Sequence, residues 1–208
     1  MSDTKERILE NALILFSEKG YGEVSINDIA DAVGIKGPSI YKHFGSKKEI
    51  FDSIISMMTE RYDAMAKDII NEIYSGKGSD SVNRIDVNTL IEIGDSLFVY
   101  FLEKNNNSEF RRILSIGRYS DPELDIIYHQ HYIDRPLNFL SGLFREMLRH
   151  KRIEENPELM ALEFYSPILV LLTSCDTDIT RKQSAMTSVE KHIRNFGRLY
   201  FGSHNEEI

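Results

Sequence analysis

The sequence predicts an all-α protein, and three observations lead to that prediction. Apolar residues recur every three or four positions along most of the 208-residue chain. Glycine and proline stand mainly between these periodic stretches, where they end or begin helices. No stretch of useful length alternates apolar and polar residues as a half-buried strand does. We expect about nine helices, with three short N-terminal helices joined through a long fourth helix to a C-terminal helical bundle.

The first helix has a clear apolar face and a clear end. Ile8, Ala12 and Phe16 are spaced four residues apart, so they share one side of a helix. Gly20 follows at the position where a left-handed residue stops a helix. We therefore expect this helix to end at Gly20 and to contribute its apolar face to an N-terminal core.

The second and third helices are short and separated by a glycine. The second starts at Ser25, which forms a variant capping box with Asp28, and Gly34 ends it. The third is predicted over residues 38–44, because proline suits the first turn of a helix and Gly45 follows as a stop. Two short helices joined by such a tight turn form a helix-turn-helix unit.

Longer helices fill the remainder of the chain. The fourth opens at residues 46–49 with a full capping box and keeps an apolar stripe as far as Ile69. The polar segment 74–84 is loop-like and marks its end. Later helices are predicted over 86–103, 108–119, 122–150 with a kink or break at Pro136, 157–173 with an internal Pro167, and 181–201.

Composition limits the cellular setting and the partners. The chain has 33 acidic against 25 basic residues, a net charge of −8, which argues against general attraction to nucleic acid or anionic lipid. The single cysteine, Cys175, excludes a disulfide within the chain and fits a reducing cytoplasm. The N-terminus mixes charges among its apolar residues, unlike a signal peptide, and the longest apolar run, 168–172, is too short to cross a membrane. We expect a cytoplasmic protein without a membrane partner.

One window departs from this acidic pattern. Residues 32–48 contain no carboxylate but carry Lys36, Lys42, Lys47 and Lys48. The second helix of a helix-turn-helix lies in the major groove of DNA while neighbouring elements hold the phosphates. A carboxylate on that face would be repelled by the phosphates, and lysines are attracted. The window therefore favours local binding of DNA by an otherwise acidic protein.

The same region carries a resemblance to a known family. The segment RILENALILFSEKGYGEVSINDIADAVGIKGPSIYKHFGSKKEIF resembles the N-terminal domain of the TetR/AcrR family of bacterial transcriptional regulators. The matching positions are Ala12, the helix end at 16–20, Tyr21, Ser25, Ile29 and Ala30, 33–35, Ile40 and Tyr41, His43 and Phe44, and Lys48. The match covers about a quarter of the chain. It implies a helix-turn-helix DNA-binding domain over residues 1–62 and an effector-binding and dimerisation domain over residues 63–208.

The resemblance also assigns residues to the DNA interface. Ser25 would contact a phosphate, Lys48 would hold a backbone phosphate, and the residues facing the groove would be Ser39, Tyr41, Lys42 and His43. Three of these have a simpler alternative. The alternative for Ser25 is helix capping alone, which explains it equally well. The alternative for Tyr41 is packing and that for His43 is a solvated surface position, and both are less favoured than a contact with DNA.

Two further lysines are added on grounds of charge. Lys47 lies beside Lys48 at the N-terminus of the fourth helix, where free amides can themselves bind a phosphate. Lys36 stands where many relatives have a serine or threonine that caps the recognition helix. Pro38, at a position that varies among relatives, removes an N–H that could contact phosphate. We expect both lysines to lie close to the DNA backbone.

The last helix carries an apolar stripe that must be buried. Met186, Val189, Ile193, Phe196 and Tyr200 are spaced by three and four residues. The protein's own core is one explanation. The resemblance implies another, a four-helix dimer interface with Phe164, Ile168 and Leu171 as candidates on the preceding helix. A two-fold homodimer would set two recognition helices about 34–36 Å apart on a pseudopalindromic operator.

The family's middle helices usually enclose an apolar effector pocket. The candidates in this chain are Met58, Tyr62, Met65, Phe98, Phe101, Phe110, Tyr119, Tyr128, Tyr132 and Phe139. Such a stripe of aromatic and Met residues at helical spacing is more often plain core. Arg112, Arg118, His129 and His131 are available to supply polar specificity.

A metal site and a cofactor are not predicted. His129 and His131 point apart on a helix, and Asp125 lies better placed beside His129, but a third ligand is missing from the pattern.

The resulting hypothesis is a ligand-responsive, sequence-specific DNA-binding transcriptional regulator. We expect a repressor that a small-molecule effector releases from its operator. An enzyme is not expected, because the sequence lacks a nucleophile–base arrangement, a phosphate-binding loop and a metal-ligand spacing. A co-regulator that acts through a protein partner without binding DNA is the alternative, and the intact lysine window argues against it.

Overall fold

The computed structural model describes residues 3–75, 86–103, 106–151, 154–176 and 178–201, and every regular element in these ranges is helical. The α-helices are α1 (Asp3–Lys19), α2 (Ile26–Val33), α3 (Gly37–Ile40), α4 (Lys47–Ser75), α5 (Val87–Glu103), α6 (Asn107–Gly117), α7 (Pro122–His129), α8 (Arg135–Lys151), α9 (Pro157–Cys175) and α10 (Lys182–Phe201). A π-helical segment, Gln130–Asp134, joins α7 to α8, and a 3-10 turn, Ile179–Arg181, precedes α10. The all-α prediction is confirmed. The predicted loop 74–84 falls mostly outside the described residues.

The predicted interruption near Pro136 is confirmed, and it divides one predicted helix into α7, the π-helical segment and α8. Proline has no N–H, so Pro136 cannot bond the carbonyl of Tyr132 four residues earlier. The buried hydroxyl of Tyr165 donates to that carbonyl at 3.0 Å. A side chain from α9 therefore supplies this carbonyl with a donor.

The third helix is shorter than predicted. It ends at Ile40 rather than at Phe44, and residues 41–43 form a turn. The amide of His43 donates to the carbonyl of Ile40 at 2.8 Å, a bond across three residues that belongs to a 3-10 turn. Phe44 is buried and closes the segment. Residues 41–43 are wound more tightly than an α-helix, so their side chains are not spaced as the predicted helix over residues 38–44 would place them.

The chain divides into two compact units. The first comprises Met1–Asp63 and Glu103–Tyr128. Helix α6 packs on α1 within it, so this unit contains more than the predicted 1–62 domain. The boundary at residue 62 stays a functional prediction. The core of this unit includes Ile8, Leu13, Phe16, Ile29, Ile40, Ile50, Ile54, Phe110 and Leu114.

The second unit comprises Ala64–Leu102 and His129–Ile208. The rings of Phe144, Phe164 and Phe196 pack with centroids 5.3 to 5.6 Å apart and join α8, α9 and α10. Helix α5 approaches α10 closely at Gly94, where an added Cβ would lie 2.1 Å from the Cδ1 atom of Ile193. Aromatic packing and a small residue at the crossing thus build this bundle.

Helix α9 is apolar on two sides. Among the described residues it alone is long and apolar enough to span a membrane, and 39% of its apolar window is buried inside the protein. Core helices of soluble proteins have the same length and composition. Phe164 and Ile168 on its inward face are fully buried, whereas Leu159, Leu162 and Val170 are 49% to 65% exposed.

Candidate nucleic-acid interface

Both ends of α2 are fixed by side chains. The Ser25 hydroxyl accepts from the amide of Asp28 at 3.2 Å, and the Asp28 carboxylate accepts from the Ser25 amide at 2.7 Å, which confirms the predicted capping box. The hydrogen bonds from the side chain and then the backbone of Ser25 lower the pKa of the Asp28 carboxyl. At the other end, Arg7 donates to the carbonyl of Val33 at 2.8 Å. Gly34 follows in the left-handed region with φ 76°.

The predicted groove-facing residues differ in exposure. Tyr41 is 59% exposed and Lys42 is also exposed, so Tyr41 does not pack into the core. Ser39 and His43 are half-buried. Lys36 is the exposed residue before α3 and makes no side-chain capping bond. The outermost groups of this segment are therefore a phenol and two ammonium groups.

The N-terminus of α4 is capped in a modified way. The Ser46 hydroxyl accepts from the amide of Glu49 at 3.0 Å, as predicted. The Glu49 carboxylate reaches one residue further back than a standard capping box and accepts from the Gly45 amide at 2.6 Å. This capping fixes the turn between α3 and α4.

Lys48 lies on the surface of this helix start and is held by acidic neighbours. Its ammonium is 3.0 Å from Asp52 and 3.9 Å from Glu123 of α7, and its side chain is 65% exposed. The hydrogen bond to Asp52, followed by the charges of Asp52 and Glu123, raises the pKa of Lys48. A cation in this position stays charged and accessible.

Lys47 is placed differently from Lys48. Its ammonium donates to the carbonyls of Tyr21 and Val24 at 2.8 Å and to that of Gly22 at 3.3 Å. It also lies 4.5 Å from the ring centroid of Tyr21. The sequence groups it with the DNA-contacting lysines, whereas in the structure its ammonium is bound within the α1–α2 turn. The residue spacing offered no signal to separate the two lysines.

The predicted pocket residues are divided between the two units. Five lie in the first unit and five in the second, and most are buried: Met58, Tyr62, Phe110 and Tyr128 in the first, and Phe98, Phe101 and Tyr132 in the second. Tyr119 is 88% exposed, so its assignment to an interior pocket is corrected, since the end of α6 leaves it in solvent. Met65 and Phe139 are half-buried.

Two cavities lie on the described part of the units. One, of about 280 Å³ in the second unit, is lined by Ala66, Lys67, Ile70, Asn71 and the predicted Phe139. The other, of about 330 Å³ in the first unit, lies between the end of α1 and α6–α7 and contains none of the predicted residues. Sequence periodicity could not find either, because their walls combine residues of separate helices.

The four polar candidates near the predicted pocket differ in burial, and Arg118 has partners in the first unit. The Arg118 guanidinium pairs with Asp125 at 2.9 Å and lies 4.2 Å from the ring centroid of Tyr128. His131 is buried, His129 is half-buried and Arg112 is exposed. In the ranges that the structure describes, no three His, Cys, Asp or Glu side chains form a group suited to a metal ion.

The predicted dimer residues mostly fill the core of the single chain. Phe164, Ile168, Val189, Ile193 and Phe196 are buried there, in agreement with the first of the two explanations for this stripe. Leu171, Met186 and Tyr200 are half-buried. The exposed apolar side chains of these two helices are others, which the sequence did not single out: Leu159, Leu162, Val170 and Leu199.

Comparison with known proteins places the helix-turn-helix region in a family. Residues 8–54 match the model of the bacterial regulatory proteins of the tetR family. The biofilm operon icaADBC HTH-type negative transcriptional regulator IcaR of Staphylococcus aureus strain NCTC 8325 is 49% identical over 51 residues, which are 24% of this chain and 27% of IcaR. IcaR of Staphylococcus epidermidis is 47% identical over 47 residues, 23% of this chain and 25% of IcaR.

Residues 8–54 therefore form a TetR-type domain. The family and these relatives are transcriptional regulators, not enzymes. The match spans about a quarter of the length of the curated relatives. It therefore establishes the TetR-family domain and leaves the activity and partners of the whole protein to be proposed.

Solved structures extend the likeness of fold to nearly the whole chain. A TetR transcriptional regulator from Legionella pneumophila has a TM-score of 0.66 at 22% identity and covers 94% of this chain and 97% of its own. The fatty acid degradation regulator FadR from Bacillus halodurans has a TM-score of 0.66 at 16% identity, with 100% and 99% covered. FadR from Bacillus subtilis, solved in complex with stearoyl-CoA, has a TM-score of 0.63 at 20% identity, with 95% and 98% covered. At these identities the likeness establishes the fold.

Proposed function

We propose that this TetR-family protein is a cytoplasmic, sequence-specific DNA-binding regulator that represses transcription as a homodimer and leaves its operator when a small molecule binds. The observation that carries DNA binding is the carboxylate-free segment from Lys36 to Lys42, in which Lys36, Tyr41 and Lys42 are exposed. Its outermost groups, Tyr41 and Lys42, can donate to base edges or phosphates. A chain of net charge −8 needs such a local cationic surface to approach DNA.

Lys48 supports the same proposal through its accessibility. Ion pairs between exposed side chains contribute about 0–1 kcal/mol, so the pairs of Lys48 with Asp52 and Glu123 are cheaply exchanged for a phosphate. Because the pKa of Lys48 is raised, the ammonium stays protonated at any physiological pH. Lys48 is therefore a phosphate ligand held ready beside the recognition segment.

The test of DNA binding uses matched lysine variants. An operator is first selected from the DNA upstream of the gene and from a random pool with the wild-type protein. If Lys42 contacts a base, Lys42→Ala should weaken binding to the operator by about 1–3 kcal/mol. If Lys42 contacts a phosphate, the substitution should weaken binding to all DNA sequences by about the same factor. Lys191→Ala, an exposed lysine on α10, is the control and should bind as wild type. Failure of the wild-type protein to bind any DNA at low salt would favour the protein-partner alternative.

The exposed face of α9 supports a homodimer. Leu159, Leu162 and Val170 follow one outward stripe at helical spacing, and the half-buried Ser166 lies between them. A helix that is apolar all round is normally buried all round. A second copy that packs on this stripe and on Leu199 of α10 covers the face that the single chain leaves in water.

The cavity in the second unit supports a small amphiphile as effector. Its walls include Ala66, Ile70 and Phe139, and Lys67 at its edge can pair with an anionic head group. An acyl chain with a carboxylate or phosphate has this combination, and FadR of Bacillus subtilis was solved with stearoyl-CoA. Helix α4 contains Ala66 and Ile70 as well as Lys48, so a ligand that displaces its C-terminal part can alter the DNA-binding part.

The effector proposal is tested by release of DNA. Fatty acids and acyl-CoAs of increasing chain length, stearoyl-CoA included, are added to the protein–operator complex. A ligand acts only if it binds the DNA-incompetent state more tightly. Lys67→Glu should raise the concentration needed for release, whereas Lys191→Glu should not. Equal release in both variants would assign the effector site elsewhere.

A further inference from the structure

We propose that Lys47 is a positioning residue of the DNA-binding unit rather than a phosphate ligand. The inference rests on the DNA binding proposed above and deepens it. Lys47 is the first residue of α4. Its ammonium donates to three backbone carbonyls of the turn between α1 and α2, those of Tyr21, Gly22 and Val24, at 2.8, 3.3 and 2.8 Å. These contacts cross more than twenty residues of sequence and join α4 to the turn between α1 and α2.

The donors of this ammonium are fully used. A lysine ammonium has three N–H groups and no acceptor. Three carbonyl oxygens lie within hydrogen-bond distance, and the Tyr21 ring covers the cation at 4.5 Å. To bind a phosphate, Lys47 would have to abandon these partners and leave the carbonyls of Tyr21 and Val24, which are part of a partly buried turn, without their donor.

The anchored turn leads directly into α2. The side chain of Val24 is buried, and its backbone carbonyl accepts a hydrogen bond from the Lys47 ammonium. Ser25 comes next and caps α2, so the position of this cap follows from the anchored turn. Helices α2 and α3 are joined by the short link after Gly34. Lys47 therefore sets where the recognition segment stands relative to the start of α4, on which Lys48 lies.

Lys48 provides a matched comparison within the same helical turn. Both residues carry the same charge at neighbouring positions, but Lys48 is 65% exposed and its partners are exposed carboxylates. Loss of Lys48 removes a cation from the DNA surface. Loss of Lys47 removes an internal link and leaves the exposed cations in place.

The test compares Lys47→Arg, Lys47→Met and Lys48→Met in the full-length protein, on the selected operator and on random DNA, across a salt series. Arginine binds phosphate well, but its planar guanidinium cannot direct three donors to three converging carbonyls. We expect both Lys47 variants, still folded by circular dichroism, to lose operator affinity about tenfold while affinity for random DNA stays within about twofold. The salt slope of both should match that of wild type.

Lys48→Met should behave in the opposite way, with equal losses on both DNAs and a slope reduced by about one for each lost phosphate contact. The proposal is overturned if Lys47→Arg binds the operator like wild type, or if Lys47→Met reduces the slope as Lys48→Met does. If the wild-type protein binds neither DNA, the proposed function fails instead.

A second readout needs no variant. In protein with ¹⁵N-labelled lysine, the Lys47 ammonium protons should exchange with water more slowly than those of the exposed Lys42, because they are bonded to carbonyls. Addition of operator should leave the Lys47 resonance in place. Exchange as fast as that of Lys42 in the free protein would contradict the anchoring contact itself.

Discussion

The hydroxyl of Tyr165 donates a hydrogen bond to the backbone carbonyl of Tyr132 at 3.0 Å, and both residues are buried in the second unit. Pro136, four residues later, has no N–H to offer to this carbonyl. The Tyr165 hydroxyl thus ties α9 to the π-helical segment inside the bundle.

Tyr165→Phe, which removes only one hydroxyl group, should therefore lower the free energy of unfolding. Removal of the hydroxyl removes a buried hydrogen bond to the Tyr132 carbonyl, which contributes about 0.5–1.5 kcal/mol to the free energy of unfolding. Urea denaturation measures it. The control is Tyr119→Phe, a tyrosine that is 88% exposed, which should change the unfolding free energy by less than about 0.5 kcal/mol. Equal effects of the two substitutions would contradict the role of the hydrogen bond.

A charge on the outward face of α9 should separate the proposed dimer. Leu162→Glu and Val170→Glu alter exposed side chains, so the single chain should stay folded while an interface that buries them loses its apolar contact. Sedimentation equilibrium should find the wild-type protein dimeric and the double variant monomeric. Ile116→Glu, at an exposed position on α6 in the first unit, is the control. A wild-type monomer, or a double variant that stays dimeric, would remove α9 from the interface.

Removal of the Glu123 carboxylate should strengthen DNA binding. Glu123 lies 3.9 Å from the Lys48 ammonium and competes for it with any phosphate. Glu123→Gln should tighten operator binding by up to about fivefold, the equivalent of the roughly 1 kcal/mol that an exposed pair contributes at most. Fluorescence anisotropy with labelled operator measures this, and Glu92→Gln, an exposed position on α5, should have no effect. Weaker binding by Glu123→Gln would show that the pair helps to present Lys48.

The Asp28 cap predicts an acid-dependent contribution to stability. The ordinary pKa of an aspartate carboxyl is 3.8, and in the folded protein hydrogen bonds from Ser25 lower the pKa of Asp28 below that value. The unfolded chain then binds the proton more readily, so the stabilisation is fully present above about pH 3.8 and is lost as the pH falls below that value through the lower folded pKa. Melting temperatures of wild type and Asp28→Asn should differ at pH 6 and converge toward pH 3. A difference that is constant with pH would contradict this account.

Much of the fold could be predicted because its signals are local. Gly20, Gly34 and the Ser25–Asp28 pair act within one helical turn, so their residue types alone indicate where helices end and begin. Pro136 likewise interrupts a helix through its own missing N–H. The TetR resemblance has the same origin, since the matched residues 8–54 form one continuous segment.

The remaining features depend on contacts between distant residues. The sequence cannot show that Lys47 reaches Tyr21 and Val24 while its neighbour Lys48 faces solvent, because the difference arises from the path of the α1–α2 turn. Similarly, the apolar stripe of α10 carries no mark of whether Val189 and Phe196 bury against the same chain or a second one. Periodicity identifies an apolar face but not the surface that covers it.

Direct binding of DNA is the central claim, and the salt dependence of operator affinity tests it most directly. The wild-type protein is titrated onto the selected operator and onto a scrambled sequence of the same length between about 50 and 200 mM salt, the range over which phosphate contacts are resolved. We predict tight, site-selective binding whose logarithm falls linearly with the logarithm of salt concentration, with a slope that reflects several phosphate contacts per dimer. Binding that does not distinguish the two sequences, or that is absent at the lowest salt, would contradict the account.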